Sequence, residues 1–246
     1  MNTQHLLEQL RGLRLTAMAS NLQTQLEQPG TYESLSFTER LKIMLDDEFL
    51  ARENRKQARL VRQATFRLSA TVRDIDYTHP RNVKKDQVAT LAQCGWIERH
   101  QNLLITGPCG SGKTYLACAL GHSACLREHS VRYFRLSRLL LELTQAKADG
   151  TYSRLLRQLA KTDVLVIDDW GLEPLKPAHR NDLMEIMDDR HGRSSTLVIS
   201  QLPTDEWYAS IGDNTLADAI LDRLMHNAHR LNLKGESMRK KMANID

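Results

Sequence analysis

Gly107-Pro-Cys-Gly-Ser-Gly-Lys-Thr114 places two glycines, a lysine and a hydroxyl at the spacing Gly-x-x-x-x-Gly-Lys-[Ser/Thr]. Gly107 and Gly112 let the backbone curl so that its N–H groups point inward at phosphate oxygens, with Pro108, Cys109, Gly110 and Ser111 completing the loop. Lys113 supplies a compact charge for the β- and γ-phosphates, and the Thr114 hydroxyl is a ligand for Mg²⁺. A second chemical element is Val164-Leu-Val-Ile-Asp-Asp169, an apolar run ending in two acids. In that setting Asp168 holds Mg²⁺ together with Thr114, and Asp169 orients the attacking water. Ser200 and Gln201 end a further apolar run and offer a polar group to sense the γ-phosphate; the sequence does not choose between them.

These groups need a scaffold that brings them to one edge. Asn102–Thr106 reads as a buried strand entering the phosphate loop, and Tyr115–Arg127 as a helix leaving it, with Tyr115 beside the nucleotide. Val131–Phe134, Val164–Ile167, Leu197–Ser200 and His229–Leu233 add four β-type runs separated by helical patterns. Five such strands predict an α/β fold of three layers with a mostly parallel sheet. Ligands bind at the carboxyl ends of strands in such sheets, where the loop, both aspartates, Ser200 and Gln201 all fall.

Residues 1–70 read as a small all-α domain, 71–82 as a linker and 83–246 as the ATPase domain. Leu6, Leu10, Leu13 and Ala17, with Leu22 and Leu26 beyond, follow a helical period that Gln28-Pro-Gly30 breaks. Ser36 followed by Glu39 is a capping-box signature that opens a longer helix. Its first half carries an apolar stripe of Leu41, Met44, Leu45 and Phe49. Arg52, Arg55, Lys56, Arg59, Arg62 and Arg67 follow, with Glu53 the single acid among them. Charge runs are usually solvated helix faces, but here the interleaving acids are nearly absent, which favours contact with nucleic-acid phosphates.

Composition narrows the class. Hydrophobic content of 41% supports a packed core, and no apolar run approaches the length of a bilayer span. Met1–Leu10 is too polar for a signal peptide, so a cytoplasmic protein with no membrane partner is expected. Cys94, Cys109, Cys118 and Cys125 share no paired short spacing, which argues against zinc and disulfides.

Leu216–Leu224 carries Arg223 just before the last strand, and Gly235-Glu-Ser-Met-Arg239 follows that strand. With these two elements in the order phosphate loop, Asp-Asp-Trp-Gly171 and Thr196–Gln201, the chain resembles the AAA+ ATPases of the helicase-loader and DnaC-like group, most closely the IstB-type transposition helpers. The resemblance implies a P-loop AAA+ core that uses ATP and Mg²⁺. It implies that Arg223 is an arginine finger donated to a neighbouring copy and that Arg239 is sensor 2. It also implies self-association into an ATP-dependent oligomer on duplex DNA and delivery of that DNA to a partner transposase. The initiator-type insertion of the group corresponds to residues 137–150, placing Arg138 and Lys147 towards DNA and leaving Leu139, Leu140, Leu141 and Leu143 to pack. A replicative helicase loader of the DnaC type is the alternative, since it shares the whole ATPase core.

Two features depart from the wider AAA+ pattern. Asp169 stands where a glutamate is usual, one methylene shorter, which predicts slow hydrolysis suited to a timer. Only thirteen residues follow Leu233, so a very short C-terminal lid is expected. A small-molecule kinase would need an acceptor pocket and a mobile lid, and neither is visible in the sequence.

Overall fold

The computed structural model describes residues 3–235, 237 and 238. The chain divides into two compact units at Arg59/Leu60.

The first unit is helical. α1 (Thr3–Gly12) and α2 (Thr16–Glu27) are separate helices, because Arg14 adopts a left-handed φ of 61° and turns the chain between them. The single leucine period of the sequence therefore runs across a break, and Leu13 is left exposed. Pro29 opens a one-turn α3 (Pro29–Tyr32), as its fixed φ allows at a first helical position. α4 (Phe37–Ala64) begins at the expected capping box: Ser36 N–H donates to Glu39 Oε2 at 2.7 Å, and Glu39 N–H reaches back to Ser36 Oγ at 3.4 Å.

Of the expected α4 stripe, Met44 is buried, whereas Leu45 and Phe49 are exposed. A carboxylate takes the inward position instead. Glu48 is buried and accepts from Ala17 N–H (2.9 Å) and Met18 N–H (3.3 Å) at the start of α2. Arg52 Nε (2.9 Å) and Arg55 Nη2 (3.0 Å) donate to its other oxygen. Burial pushes this carboxyl up, but the hydrogen bonds from Arg52, Met18, Ala17 and Arg55 outweigh it and leave it below its ordinary value.

The second unit begins inside α4, whose Leu60 and Ala64 are buried in it with Ala70. The boundary falls before residue 70 because those side chains belong to the second core. Residues 71–82 are packed chain with a short 3₁₀ turn at Val72–Asp74; Ile75 and Arg81 are buried there. α5 (Lys85–Ala92) and α6 (Gly95–Glu98) lead into β1 (Asn102–Thr106). The order then runs α7 (Lys113–Leu126), β2 (Val131–Arg135), α8 (Leu136–Ala148), α9 (Tyr152–Ala160), β3 (Val164–Trp170), α10 (Pro177–Arg190) and β4 (Ser195–Ser200). α11 (Trp207–Ile211), α12 (Asn214–Met225) and β5 (Ala228–Asn232) complete it.

The sheet order is β2-β3-β4-β1-β5, and every pairing is parallel. Alternate residues of each strand feed two cores, as the two-residue period of a strand requires. Leu103, Ile105, Val164, Val166, Leu197 and Ile199 pack with α7 on one face. Leu104, Leu165, Ile167 and Val198 pack with α8–α12 on the other. This is the three-layer architecture the strand pattern predicts. Among the described residues, no helix is long and apolar enough to cross a membrane.

Candidate nucleotide site

The carboxyl ends of β1, β3 and β4 open into a cavity of about 880 Å³. Cys109, Gly110, Gly112, Lys113, Thr114 and Tyr115 of the predicted loop line it, with both aspartates, Ser200 and Gln201. Gly107, Pro108 and Ser111 shape the loop from behind: the Gly107 and Pro108 carbonyls accept from Lys113 Nζ at 2.7 and 2.8 Å. Gly112, at φ +93°, caps α7, and a Cβ there would lie 2.5 Å from Arg81 Nη1. Only glycine meets both demands. The N-terminus of α7 therefore faces the cavity, a ready anion site.

Thr114 and Asp168 meet as expected. Thr114 Oγ1 donates to Asp168 Oδ2 at 2.9 Å, and the carboxylate is fully buried. A hydroxyl and a carboxylate side by side are hard oxygen donors that suit Mg²⁺ held jointly with phosphate oxygens. Tyr133 also donates to Asp168 Oδ2, at 2.6 Å. Burial and the adjoining Asp168 push the Tyr133 phenol well up, so it remains a donor.

The two acids diverge because β3 bulges. Ile167 pairs with Val198 and Trp170 with Ser200, so β3 carries one residue more than β4 in that interval. Asp169 takes a left-handed φ of 62°, and its N–H donates to Asp168 Oδ1 at 2.8 Å. Bulges re-aim side chains beside active sites in this way. β3 thus continues through Trp170, past the Ile167 at which its apolar run stops. Burial, then the Asp168 carboxylate, raises the Asp169 carboxyl; Arg67, Arg135 and Lys113 oppose that rise.

Ser200 is committed to the backbone. Its Oγ donates to Trp170 O at 2.7 Å and accepts from Leu202 N–H at 3.0 Å. Gln201 is exposed on the cavity wall. The described end of Gly235-Glu-Ser-Met-Arg239 returns to the loop, where Met238 N–H donates to Gly110 O at 2.9 Å. Arg239 itself lies outside the described residues.

Arg223 is placed elsewhere. It pairs with Asp188 of α10 at 2.7 Å and lines a separate cavity of about 430 Å³ beside Asn102, at the amino end of β1. It does not line the cavity that holds Asp168 of its own chain.

The expected DNA contacts fall in four places. Arg52, Arg55, Lys56, Arg59 and Arg62 are all exposed on α4, the first two leaning on Glu48. Arg138 is exposed on α8, where Leu139, Leu140 and Leu143 are buried and Leu141 is not. Lys147 is committed to the buried Asp182 and lies 4.8 Å from the Tyr152 ring, so it ties α8 to α10. Arg67 belongs to the nucleotide cavity: its Nη1 lies 4.0 Å from Asp168 Oδ2 and 3.9 Å from Asp169 Oδ2. Thr65, at φ 54°, ends α4 and turns the chain away before Arg67 is reached.

Sequence reasoning missed Tyr133 and Arg135, whose Nε lies 3.9 Å from Asp169 Oδ2. Both lie on β2, the strand paired with β3: Tyr133 is in register with Val166, and Arg135, its last residue, with Asp168. It also missed Arg81, buried behind the loop and donating to Ser111 O at 3.2 Å. Basic or phenolic residues on a strand next to the acids were the available signal, but that signal needs the strand order.

Comparison with known proteins agrees with this geometry. The crystal structure of the DnaC helicase loader superposes with a TM-score of 0.56 at 21% identity, covering 67% of this chain and 97% of that one. AMPPCP-bound DnaA from Aquifex aeolicus gives 0.58 at 16% identity, over 72% of this chain and 54% of that one. At these identities the likeness is one of fold. Sequence relatives are nearer. The "Putative insertion sequence ATP-binding protein y4pL" of Sinorhizobium fredii is 47% identical over 95% of each chain. The "Insertion sequence IS21 putative ATP-binding protein" of Pseudomonas aeruginosa is 33% identical over 94% of this chain and 87% of its own. The profile of the IstB-like ATP binding proteins matches residues 8–245, and with the phosphate loop and paired aspartates in place the chain belongs to that family and is an AAA+ ATPase.

Proposed function

We propose that this protein is the ATPase helper of an insertion sequence, which binds duplex DNA, assembles on it with ATP and delivers it to a partner transposase. The observation that carries this reading is the division of the catalytic groups. Lys113, Thr114, Asp168 and Asp169 share one cavity, whereas Arg223 lines another. A finger that cannot serve its own site implies a second copy whose site it completes.

Within the site, the α7 N-terminus and Lys113 bind the triphosphate, and Thr114 with Asp168 would hold Mg²⁺. The metal, when bound, neutralises charge on the β- and γ-phosphates. Asp169 accepts from and orients the attacking water. Gln201 is the γ-phosphate sensor, because the Ser200 hydroxyl is occupied on both sides by backbone. Arg239 is assigned to sensor 2 from its motif alone. The exposed arginines of α4 hold DNA by its phosphates, with Arg138 a further contact.

The test is ATP hydrolysis with duplex DNA and no other acceptor. DNA-stimulated turnover, together with nucleotide-dependent assemblies on duplex DNA seen by microscopy, is the expected result. One-to-one association with a replicative helicase would favour the loader instead. Arg223→Ala should slow assembly-dependent turnover by roughly 10³-fold. Mixing it with Lys113→Ala subunits should restore part of the rate, because Lys113→Ala keeps its finger and Arg223→Ala keeps its phosphate loop. No recovery in the mixture would refute a finger acting between copies.

A further inference from the structure

We infer that Arg67 is a positioning residue for hydrolysis, through which DNA held on the last turn of α4 acts on Asp168 and Asp169. The inference rests on the DNA-binding role proposed above for α4.

The guanidinium of Arg67 lies within 4.0 Å of both acids. These are two like charges on adjacent residues, one of them at a left-handed bulge position. A cation at equal reach of both fixes their mutual orientation, since either carboxylate that swings away loses it. Arg135 reaches only Asp169 at comparable distance, so it does not duplicate the bridge.

The placement of Arg67 is built into the packing. Its predecessor Phe66 sits on α7 at Gly121, where a Cβ would come within 2.6 Å of Phe66 Cε1. A side chain at position 121 would therefore displace the ring. Cys118, one α7 turn earlier, is buried in the same core. On the other side, Leu60 and Ala64 bury the end of α4 in the same core, and Ala70 anchors the chain beyond. The path from the exposed Arg62 to Arg67 is thus five residues of clamped chain with Thr65 as its one turn. A phosphate bound at Arg62 loads a segment whose far end holds the catalytic acids. Displacements of about 1 Å in such a constellation change rates by on the order of 10²-fold.

The experiment uses the full chain with MgATP and a duplex oligonucleotide. It measures kcat and KM with and without DNA, and DNA affinity separately. In wild type, DNA is expected to raise kcat. In Arg67→Ala that rise should disappear, with KM for ATP and DNA affinity each within about twofold of wild type. Arg67→Lys keeps a cation and should recover part of the rise, and Gly121→Ala, which alters no charge, should reproduce the loss. An Arg67→Ala protein that keeps the wild-type ratio of kcat with and without DNA overturns the inference. So does one that loses DNA affinity in step with Arg62→Ala while keeping that ratio, since Arg67 is then an ordinary phosphate contact. Wild type that fails to bind DNA refutes the underlying reading, and the coupling falls with it.

Discussion

Glu48 offers a test in which stability and DNA binding should move in opposite directions. It is buried, and it receives two N–H groups from the start of α2 and two guanidinium bonds from Arg52 and Arg55. Glu48→Ala removes the acceptor for Ala17 and Met18, equivalent to losing a helix N-cap at about 1–2 kcal/mol. The two arginine pairs are half-exposed on the arginine side and add only about 0–1 kcal/mol. The expected cost is therefore about 1–3 kcal/mol, confined to the first unit. Glu48→Gln keeps an oxygen for the N–H groups and should cost less, about 1 kcal/mol.

Both substitutions free Arg52 and Arg55 from a competing carboxylate. Each guanidinium that then engages a phosphate steepens the log–log salt dependence of DNA binding by about 0.9. Hydrogen exchange at Ala17 and Met18 reads the first effect, and fluorescence anisotropy of a labelled duplex across salt reads the second. Faster exchange with an unchanged salt slope would show that these arginines face no DNA. Unchanged exchange would refute the capping role. The pH dependence supplies a sign check. The Glu48 carboxyl is held below its ordinary value of 4.5, so its contribution is complete above that pH. It is lost as pH falls through the lower folded value. Acid should therefore deprotect the start of α2 in wild type, and Glu48→Gln should lack that component.

Three further outcomes follow from the nucleotide site. Tyr133→Phe removes a charge-assisted bond of 2.6 Å to Asp168; at about 1.5–3 kcal/mol for such a bond, kcat/KM for MgATP should fall about 10–100-fold, and an unchanged value would remove Tyr133 from the site. Gln201→Ala should lower kcat while leaving thermal stability near wild type, whereas Ser200→Ala should lower the melting temperature by unpairing Leu202 N–H; the reverse pattern would exchange their roles. Lys113→Ala should abolish nucleotide binding in equilibrium titration while keeping the fold, and retained affinity would show that the loop backbone alone suffices.

The elements legible in the sequence were those whose partners lie close along the chain. The phosphate loop and its helix span residues 107–126, and the paired faces of the strands follow from alternation alone. The capping box at Ser36 and Glu39 is local in the same sense. Arg14 and Thr65 were not legible, because a non-glycine residue at positive φ leaves no compositional mark. Thr65 matters most, since it separates Arg67 from a charge run that looks continuous. Glu48 was legible in principle: it stands four and seven residues before Arg52 and Arg55, the helical spacing at which opposite charges meet. It stands just before the basic run, whose first member is Arg52.

Strand order governed the remainder. β2 lies beside β3, which sets Tyr133 and Arg135 against aspartates more than thirty residues away in sequence. With Arg67 and Lys113, this gives Asp169 three nearby cations, while Asp168 is its one acidic neighbour among the main influences. The bulge that separates the acids is likewise a property of the pairing with β4, invisible in an apolar run that simply stops at Ile167. Arg135 comes from β2 and Arg67 from the chain leaving α4, and both lie within 4.0 Å of the acids rather than in the phosphate loop. The orientation of the two acids therefore depends on the order of the strands, as the phosphate cradle depends on the glycines of the loop.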